Sequence, residues 1–104
     1  MAKPARSERF DILVCYDVQT IVDDGLRLRK VAKACQNYGQ RVQYSVFECS
    51  LTEALLHKLR CRLLDIMDMK TDSLRIYYLR GRRQEFVEVY GRDGWTDFSG
   101  PLTV

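Results

Sequence analysis

The first strong hydrophobic segment of the chain is a run that leads directly into a carboxylate. In FDILVCYDV, residues 10–18, apolar and aromatic side chains occupy positions 12–16 without interruption, and Asp17 follows them. An unbroken apolar run of this length predicts a β-strand that is buried on both faces. Because a carboxylate is costly to bury, the rest of the fold has to explain why Asp17 ends this strand.

Two amphipathic helices are predicted from apolar residues at three- and four-residue spacing. The first, in LRLRKVAKACQNYG, is predicted to end at Gly39, a residue type that commonly stops helices. The second is predicted to begin at a capping box formed by Ser50 and Glu53. The core stripe of the second helix comprises Leu56, Leu59, Leu63 and Ile66. The polar face of the first helix carries Arg27, Arg29, Lys30 and Lys33.

The remaining hydrophobic segments have the composition of β-strands. QRVQYSVFEC, residues 40–49, is rich in β-formers, and its alternation slips near Ser45 in the way that a bulge or a tight turn would cause. SLRIYYL, residues 73–79, predicts a strand, and EFVEVYG, residues 85–91, predicts a further one. The basic turn between them contains Arg80, Arg82 and Arg83, which either contact phosphates or remain solvated.

The order of these elements predicts an α+β fold, a ferredoxin-like βαββαβ sandwich with an added C-terminal strand. Both helices of such a sandwich cover the same face of the sheet. Since the first strand is apolar on both faces, a second copy of the chain is expected to cover the other face, which predicts a homodimer packed through the sheets.

The domain itself is predicted to span residues 10–91. Residues 1–9 form a basic leader, and residues 92–104 form an extension. Large apolar side chains in that extension predict that it docks as a short strand on the partner protomer. They are Trp95, Phe98, Leu102 and Val104.

Composition limits the class of protein. A chain of 104 residues with a formal charge of +3 is long enough for one modest domain, and its charge is too mild to establish nucleic-acid binding by itself. No apolar run approaches the roughly 20 residues that cross a bilayer and no signal peptide opens the chain, so we expect a cytoplasmic protein without membrane contact. The widely spaced cysteines predict four reduced, buried thiols rather than disulfides or a metal site. They are Cys15, Cys35, Cys49 and Cys61.

Few residues are candidates for chemistry. His57 is the only histidine, which excludes a two-histidine acid–base mechanism, and no glycine-rich phosphate loop, HExxH or GxSxG motif occurs. Asp17 remains, either as a turn-forming or helix-capping residue or as a metal ligand. A two-fold axis near the end of the first strand would bring two copies of Asp17 together, and Mg²⁺ typically takes one or two carboxylates with waters and phosphate oxygens.

Three segments resemble a known family. VCYDV after an apolar strand, GLRLRKVAKAC, and above all GQRVQYSVFEC are similar to the second CRISPR-associated protein, the small partner of the spacer integrase. The resemblance extends in order and spacing from about residue 10 to residue 80. It implies a ferredoxin-like homodimer that acts as a metal-dependent endonuclease on RNA or duplex DNA. It also implies a scaffold that bridges integrase dimers during spacer acquisition.

The resemblance also implies residue roles. Asp17 matches the metal-binding and catalytic aspartate of the family, so one Mg²⁺ or Mn²⁺ per dimer is expected between the two Asp17 carboxylates. The nucleic-acid contacts implied in the same way are Tyr16, Arg27, Arg29, Arg41 and Phe47. Four of these residues also have a structural alternative. Arg27 and Arg29 are typical of a solvated helix face, Phe47 of a core residue, and Tyr16 of a dimer interface.

Three functions follow as hypotheses. The first is the metal-dependent endonuclease. The second is a non-catalytic DNA-binding dimer that serves as an adaptor between integrase dimers, since the chain has many arginines and no dense cluster of carboxylates. The third is a ligand-sensing regulator, which the fold alone permits and which would have no affinity for nucleic acid.

Overall fold

The computed structural model of the protein describes residues 8–80 and 83–91. Within them, the elements in chain order are β1 (Arg9–Asp17), α1 (Leu26–Gln36), β2 (Gly39–Gln43), β3 (Val46–Thr52), α2 (Glu53–Ile66), β4 (Ser73–Leu79) and α3 (Arg83–Phe86). No helix in this part of the chain is long and apolar enough to cross a membrane.

The sheet has the topology that the sequence predicts. The four described strands are ordered β2-β3-β1-β4, and every neighbouring pair is antiparallel. Each of the two βαβ units therefore encloses a strand of the other unit, as in a ferredoxin-like sandwich. The α+β class and the ferredoxin-like architecture are confirmed. Strand β1 lies in the interior of the sheet, between β3 and β4, which explains why its sequence is so apolar.

The two faces of β1 have different environments. Ile12, Val14 and Tyr16 are buried in the core beneath the helices, together with the stripe of α2 that includes Leu59. Leu13 and Cys15, which point to the opposite face, are only half-buried. The homodimer that was inferred from this second apolar face remains a prediction, because the structure contains one chain.

The end of the first helix differs from the expectation. α1 ends at Gln36 with Asn37 as its C-cap, and Gly39 instead begins β2, opposite Cys49 of β3. A Cβ atom at position 39 would collide with the Cys49 side chain and with the backbone oxygen of Glu48. Gly39 is therefore required by the close approach of two strands and does not stop a helix.

The start of the second helix also differs by two residues. α2 begins at Glu53, and its N-cap is Thr52, whose side chain accepts a hydrogen bond from the Leu55 backbone N–H. Ser50 still lies in β3, so the predicted capping box is wrong. The preceding strand is extended by its pairing with β1, in which Ser50 lies opposite Asp11, and this pairing decides where the helix can start.

The predicted slip near Ser45 is resolved as a tight turn between β2 and β3. The turn comprises Tyr44 and Ser45, and the register between the two strands also shifts between Arg41 and Gln43.

Among the cysteines, Cys35 and Cys49 are buried and Cys15 is half-buried, whereas Cys61 is exposed on α2. The prediction of four buried thiols is therefore wrong for Cys61, although all four thiols are free.

The predicted strand at residues 85–91 is absent. The chain instead forms one helical turn, α3, closed by a hydrogen bond from the Val87 N–H to the Arg83 carbonyl, and residues 87–90 are irregular. The Arg83 guanidinium pairs with Glu48 of β3, which lies on the face opposite the helices. This ion pair draws the segment toward that face and away from a sheet edge, where a strand would find a partner. The extension at residues 92–104 lies outside the described residues.

Candidate nucleic-acid and metal site

Asp17 lies where β1 emerges from the core. It is the last residue of β1 and is opposite Ser73, the first residue of β4. On the other side, the Tyr16 backbone N–H donates to the Ser45 carbonyl in the β2–β3 turn at 3.1 Å. The backbone before Asp17 is therefore held by both neighbouring chain segments, while its side chain is exposed.

The Asp17 carboxylate has no hydrogen-bond or ion-pair partner among residues 8–80 and 83–91. The structural alternative, a turn-forming or helix-capping role, therefore has no support from the described contacts. The same part of the chain contains no group of three or more metal-binding side chains. A lone, exposed carboxylate suits a hard divalent cation, which keeps several waters and shares few protein ligands.

Tyr16 and Phe47 form the buried base of this region. Their rings are stacked with centroids 6.2 Å apart, and Phe47 is fully buried. The Tyr16 hydroxyl donates to the Tyr44 carbonyl at 3.3 Å, and burial raises the pKa of Tyr16. Neither ring is available to stack on a nucleic-acid base in this conformation, so the structural placement is that of core residues.

Arg41 covers the Phe47 ring from the edge strand β2. Its guanidinium carbon lies 5.2 Å from the ring centroid, which is within the range of a cation–π contact. Arg41 itself is exposed, although its guanidinium carbon lies over a fully buried ring. This arrangement holds the guanidinium in a defined position near the β2–β3 turn.

Arg27 is engaged in a network of carboxylates. Its Nε and Nη2 atoms donate to the two oxygens of Asp72, each at 3.1 Å, and Nη1 donates to Asp23 at 2.9 Å. Nη2 also lies 3.3 Å from the Gln19 carbonyl oxygen. Four of its hydrogen bonds therefore stay within the protein, which differs from the free phosphate contact that the resemblance implies.

Asp72 is the centre of that network. Its side chain is fully buried, and besides Arg27 it accepts hydrogen bonds from the backbone N–H groups of Gln19 at 2.9 Å and Asp68 at 2.8 Å. The Arg27 guanidinium holds the pKa of the Asp72 carboxyl well below its usual range. A carboxyl with a lowered pKa stabilises the fold at neutral pH, and this contribution is lost as the pH falls below the ordinary range for aspartate.

The sequence did not identify Asp72. Asp23 and Arg27 are four residues apart at the start of a helix, a spacing that predicts an ion pair, but Asp72 is 45 residues from Arg27.

The Arg29 guanidinium, in contrast to that of Arg27, donates to the Asp24 carbonyl at 3.0 Å and is exposed. Of the arginines in the basic turn, Arg83 pairs with buried Glu48 and Arg80 is exposed, while position 82 lies outside the described residues.

Comparison with known proteins identifies the family. The profile of CRISPR associated protein Cas2 matches residues 11–86. A protein named CRISPR-associated endoribonuclease Cas2 1 from Moorella thermoacetica is 50% identical over 94 residues, which cover 89% of this chain and 98% of that protein. CRISPR-associated endonuclease Cas2 from Halalkalibacterium halodurans is 50% identical over 92 residues, covering 88% and 96%.

A solved structure agrees with these matches. The crystal structure of Streptococcus pyogenes Cas2 at pH 6.5 has a TM-score of 0.69 and 51% sequence identity, and the match covers 78% of this chain and 99% of that one. The matches thus cover nearly the whole length of each of these relatives. The chain belongs to the Cas2 family of CRISPR-associated proteins.

Proposed function

We propose that the protein is a metal-dependent endonuclease that cleaves duplex DNA, single-stranded RNA or both during CRISPR spacer acquisition. The observation that supports this most directly is the carboxylate of Asp17, which is exposed at the end of a buried strand and has no partner among residues 8–80 and 83–91. Relatives that match nearly their full length are named as endonucleases and endoribonucleases, which supports the same class of reaction.

The proposed site requires two chains, because each contributes one carboxylate. In a homodimer packed through the sheets, the two Asp17 side chains would hold one Mg²⁺ or Mn²⁺. The bound cation supplies charge neutralisation at the scissile phosphodiester and activation of water. Asp17 acts as a ligand and not as a proton donor, and the exposed residues Arg29 and Arg41 supply positive charge for phosphate oxygens.

Removal of divalent metal should abolish cleavage. Purified dimer is incubated with labelled duplex DNA and with single-stranded RNA, in EDTA and after Mg²⁺ or Mn²⁺ is restored. We expect no product in EDTA and full recovery after the metal is added back, because the proposed reaction depends on the cation to neutralise charge and to activate water. Cleavage at the same rate in EDTA would contradict the proposal.

A second candidate function, a DNA-binding adaptor between integrase dimers, is favoured by a basic groove on the helical face. The groove has a volume of about 300 Å³ and lies between α1 and α2. It is lined by Lys30, Lys33, Ala34, Asn37 and Arg62. In the described part of the chain, the two lysines of the groove have no carboxylate partner. Arg62 has only a long contact of 3.8 Å with exposed Asp65. Such a groove suits phosphate groups and needs no metal.

Neutralising the groove tests this adaptor function. We expect the double variant Lys30→Gln/Lys33→Gln to weaken duplex binding and to reduce the slope of log K against log salt by about 1.8, since each phosphate contact contributes about 0.9. Lys58→Gln/Lys70→Gln removes the same charge from exposed positions outside the groove and should leave the slope nearly unchanged. Equal effects of the two double variants would contradict a specific role for the groove.

A further inference from the structure

The network around Asp72 lies directly beside the proposed metal ligand. We propose that Arg27 and Asp72 form a clamp that positions Asp17, and that Arg27 is a positioning residue and not a contact for nucleic acid. This inference rests on the proposed function, because it concerns the residue that is proposed to hold the metal. It assigns Arg27 a different role from the one that the family resemblance implies.

The clamp connects two backbone segments next to Asp17, the loop that follows it and the start of the neighbouring strand β4. Asp72 immediately precedes Ser73, which is the residue opposite Asp17 in the β1–β4 pairing. The same carboxylate accepts the N–H of Gln19, two residues after Asp17. One buried side chain therefore fixes the strand next to Asp17 and the loop that leaves it. Without that side chain, the loop after Asp17 would lose its hydrogen bond to the residue that precedes β4.

Arg27 holds the carboxylate of the clamp in place. It forms a bidentate pair with Asp72, and its third nitrogen is bound to Asp23. The three side chains together have a net charge of −1, from one arginine and two aspartates. Phosphate is therefore repelled by the group as a whole, and most of the Arg27 donors are already in use. A nucleic-acid contact at Arg27 would require this network to break.

The two members of the clamp are expected to depend on each other. The Asp72 side chain is fully buried and that of Arg27 is 20% exposed, so each neutralises a charge that water reaches poorly. Removing either partner leaves the other inadequately paired. A phosphate contact would behave differently, since the loss of Arg27 would weaken binding and the loss of Asp72 would strengthen it.

A double-mutant cycle tests this dependence in the full-length protein. Arg27→Gln, Asp72→Asn and the double variant are assayed for kcat and KM on duplex DNA at saturating Mn²⁺. Because a misplacement of about 1 Å can cost a hundredfold in rate, we expect each single variant to lose roughly tenfold to a hundredfold in kcat, with KM little changed. The double variant should be no worse than either single variant. Multiplicative losses would overturn the clamp, as would loss only in Arg27→Gln.

The salt dependence of duplex binding separates the clamp from a phosphate contact. For the clamp, the slope of log K against log salt is unchanged in Arg27→Gln, whereas a lost phosphate contact would lower it by about 0.9. Lys58→Gln, an exposed charge on α2, serves as the matched control for a general effect of charge. A lower slope in Arg27→Gln than in this control would overturn the proposal.

Amide hydrogen exchange gives a readout that does not depend on activity or metal. The N–H groups of Gln19 and Asp68 both donate to Asp72, and an asparagine amide can accept through only one atom. Asp72→Asn should therefore accelerate exchange at one of these amides or both, and unchanged protection at both would overturn the clamp. Asp17→Asn, assayed in parallel, separates the failures. If it cleaves normally, the proposed function fails, whereas if it is inactive while Arg27→Gln is active, only the clamp fails.

Discussion

Asp17→Asn should lose metal-dependent cleavage by about a hundredfold to a thousandfold while the protein remains folded. A homodimer of this variant lacks both carboxylates of the proposed site. The charge stabilisation that a cation provides is worth several kcal/mol, and each 1.36 kcal/mol corresponds to a factor of ten in rate. The Asp17 side chain is exposed and has no partner among the described residues, so its replacement should not lower the melting temperature. The measurement is initial cleavage rate against Mn²⁺ concentration.

The matched control for this variant is Asp11→Asn. Asp11 lies on the same strand and the same face as Asp17, six residues earlier. The variant Asp11→Asn removes an equal charge from β1 and should retain cleavage. Wild-type rates in Asp17→Asn would exclude the proposed site. If Asp17→Asn instead loses cleavage and retains both duplex binding and spacer acquisition in cells, the adaptor function is sufficient for the biological role.

Phe47→Ala should destabilise the fold by about 3 to 5 kcal/mol, the usual cost of deleting a buried aromatic ring. Phe47 is fully buried, its ring stacks against Tyr16, and the Arg41 guanidinium rests on it. Removing the ring leaves a cavity and also removes the packing contacts of Tyr16 and Arg41. Urea denaturation followed by circular dichroism measures the loss, provided that wild type and variant have equal m-values.

The variant Phe47→Leu separates packing from base stacking. A leucine retains most of the apolar volume but has no aromatic face, so it should cost only about 1 kcal/mol and leave duplex and RNA affinity unchanged. If Phe47 stacked on a base, the loss of the ring would instead weaken nucleic-acid binding by roughly 1 to 3 kcal/mol. A stable Phe47→Leu protein with reduced affinity would contradict the core placement.

Much of the sandwich was predictable because its signals are local. The apolar run at positions 12–16, the helical stripe that includes Leu59 and Leu63, and the alternation at 73–79 each report the environment of the element to which they belong. Their order along the chain then restricts the topology, since short connections and right-handed crossovers leave few arrangements. The prediction that Asp17 lies at the end of a buried strand follows from the same signals.

The incorrect predictions concern positions where a distant partner decides the local structure. Gly39 resembled a helix stop, but the closeness of β3 explains it, and this contact is invisible in the linear pattern. Residues 85–91 are rich in strand-forming residues, yet Arg83 is bound to Glu48, 35 residues away, and the chain forms a helical turn instead. In both cases a tertiary contact outweighed a weak local preference.

The sequence by itself determined the α+β class, the βαββαβ order and the position of Asp17 at the end of β1. Periodicity is sufficient for these features because burial of an element's apolar face is the dominant stabilising term. Only the tertiary structure decided the role of Arg27. The sequence predicts a cation on a helix face, and the structure shows the partner of Asp72. A buried ion pair forms where two distant segments exclude water together, and neither segment shows this by its own composition.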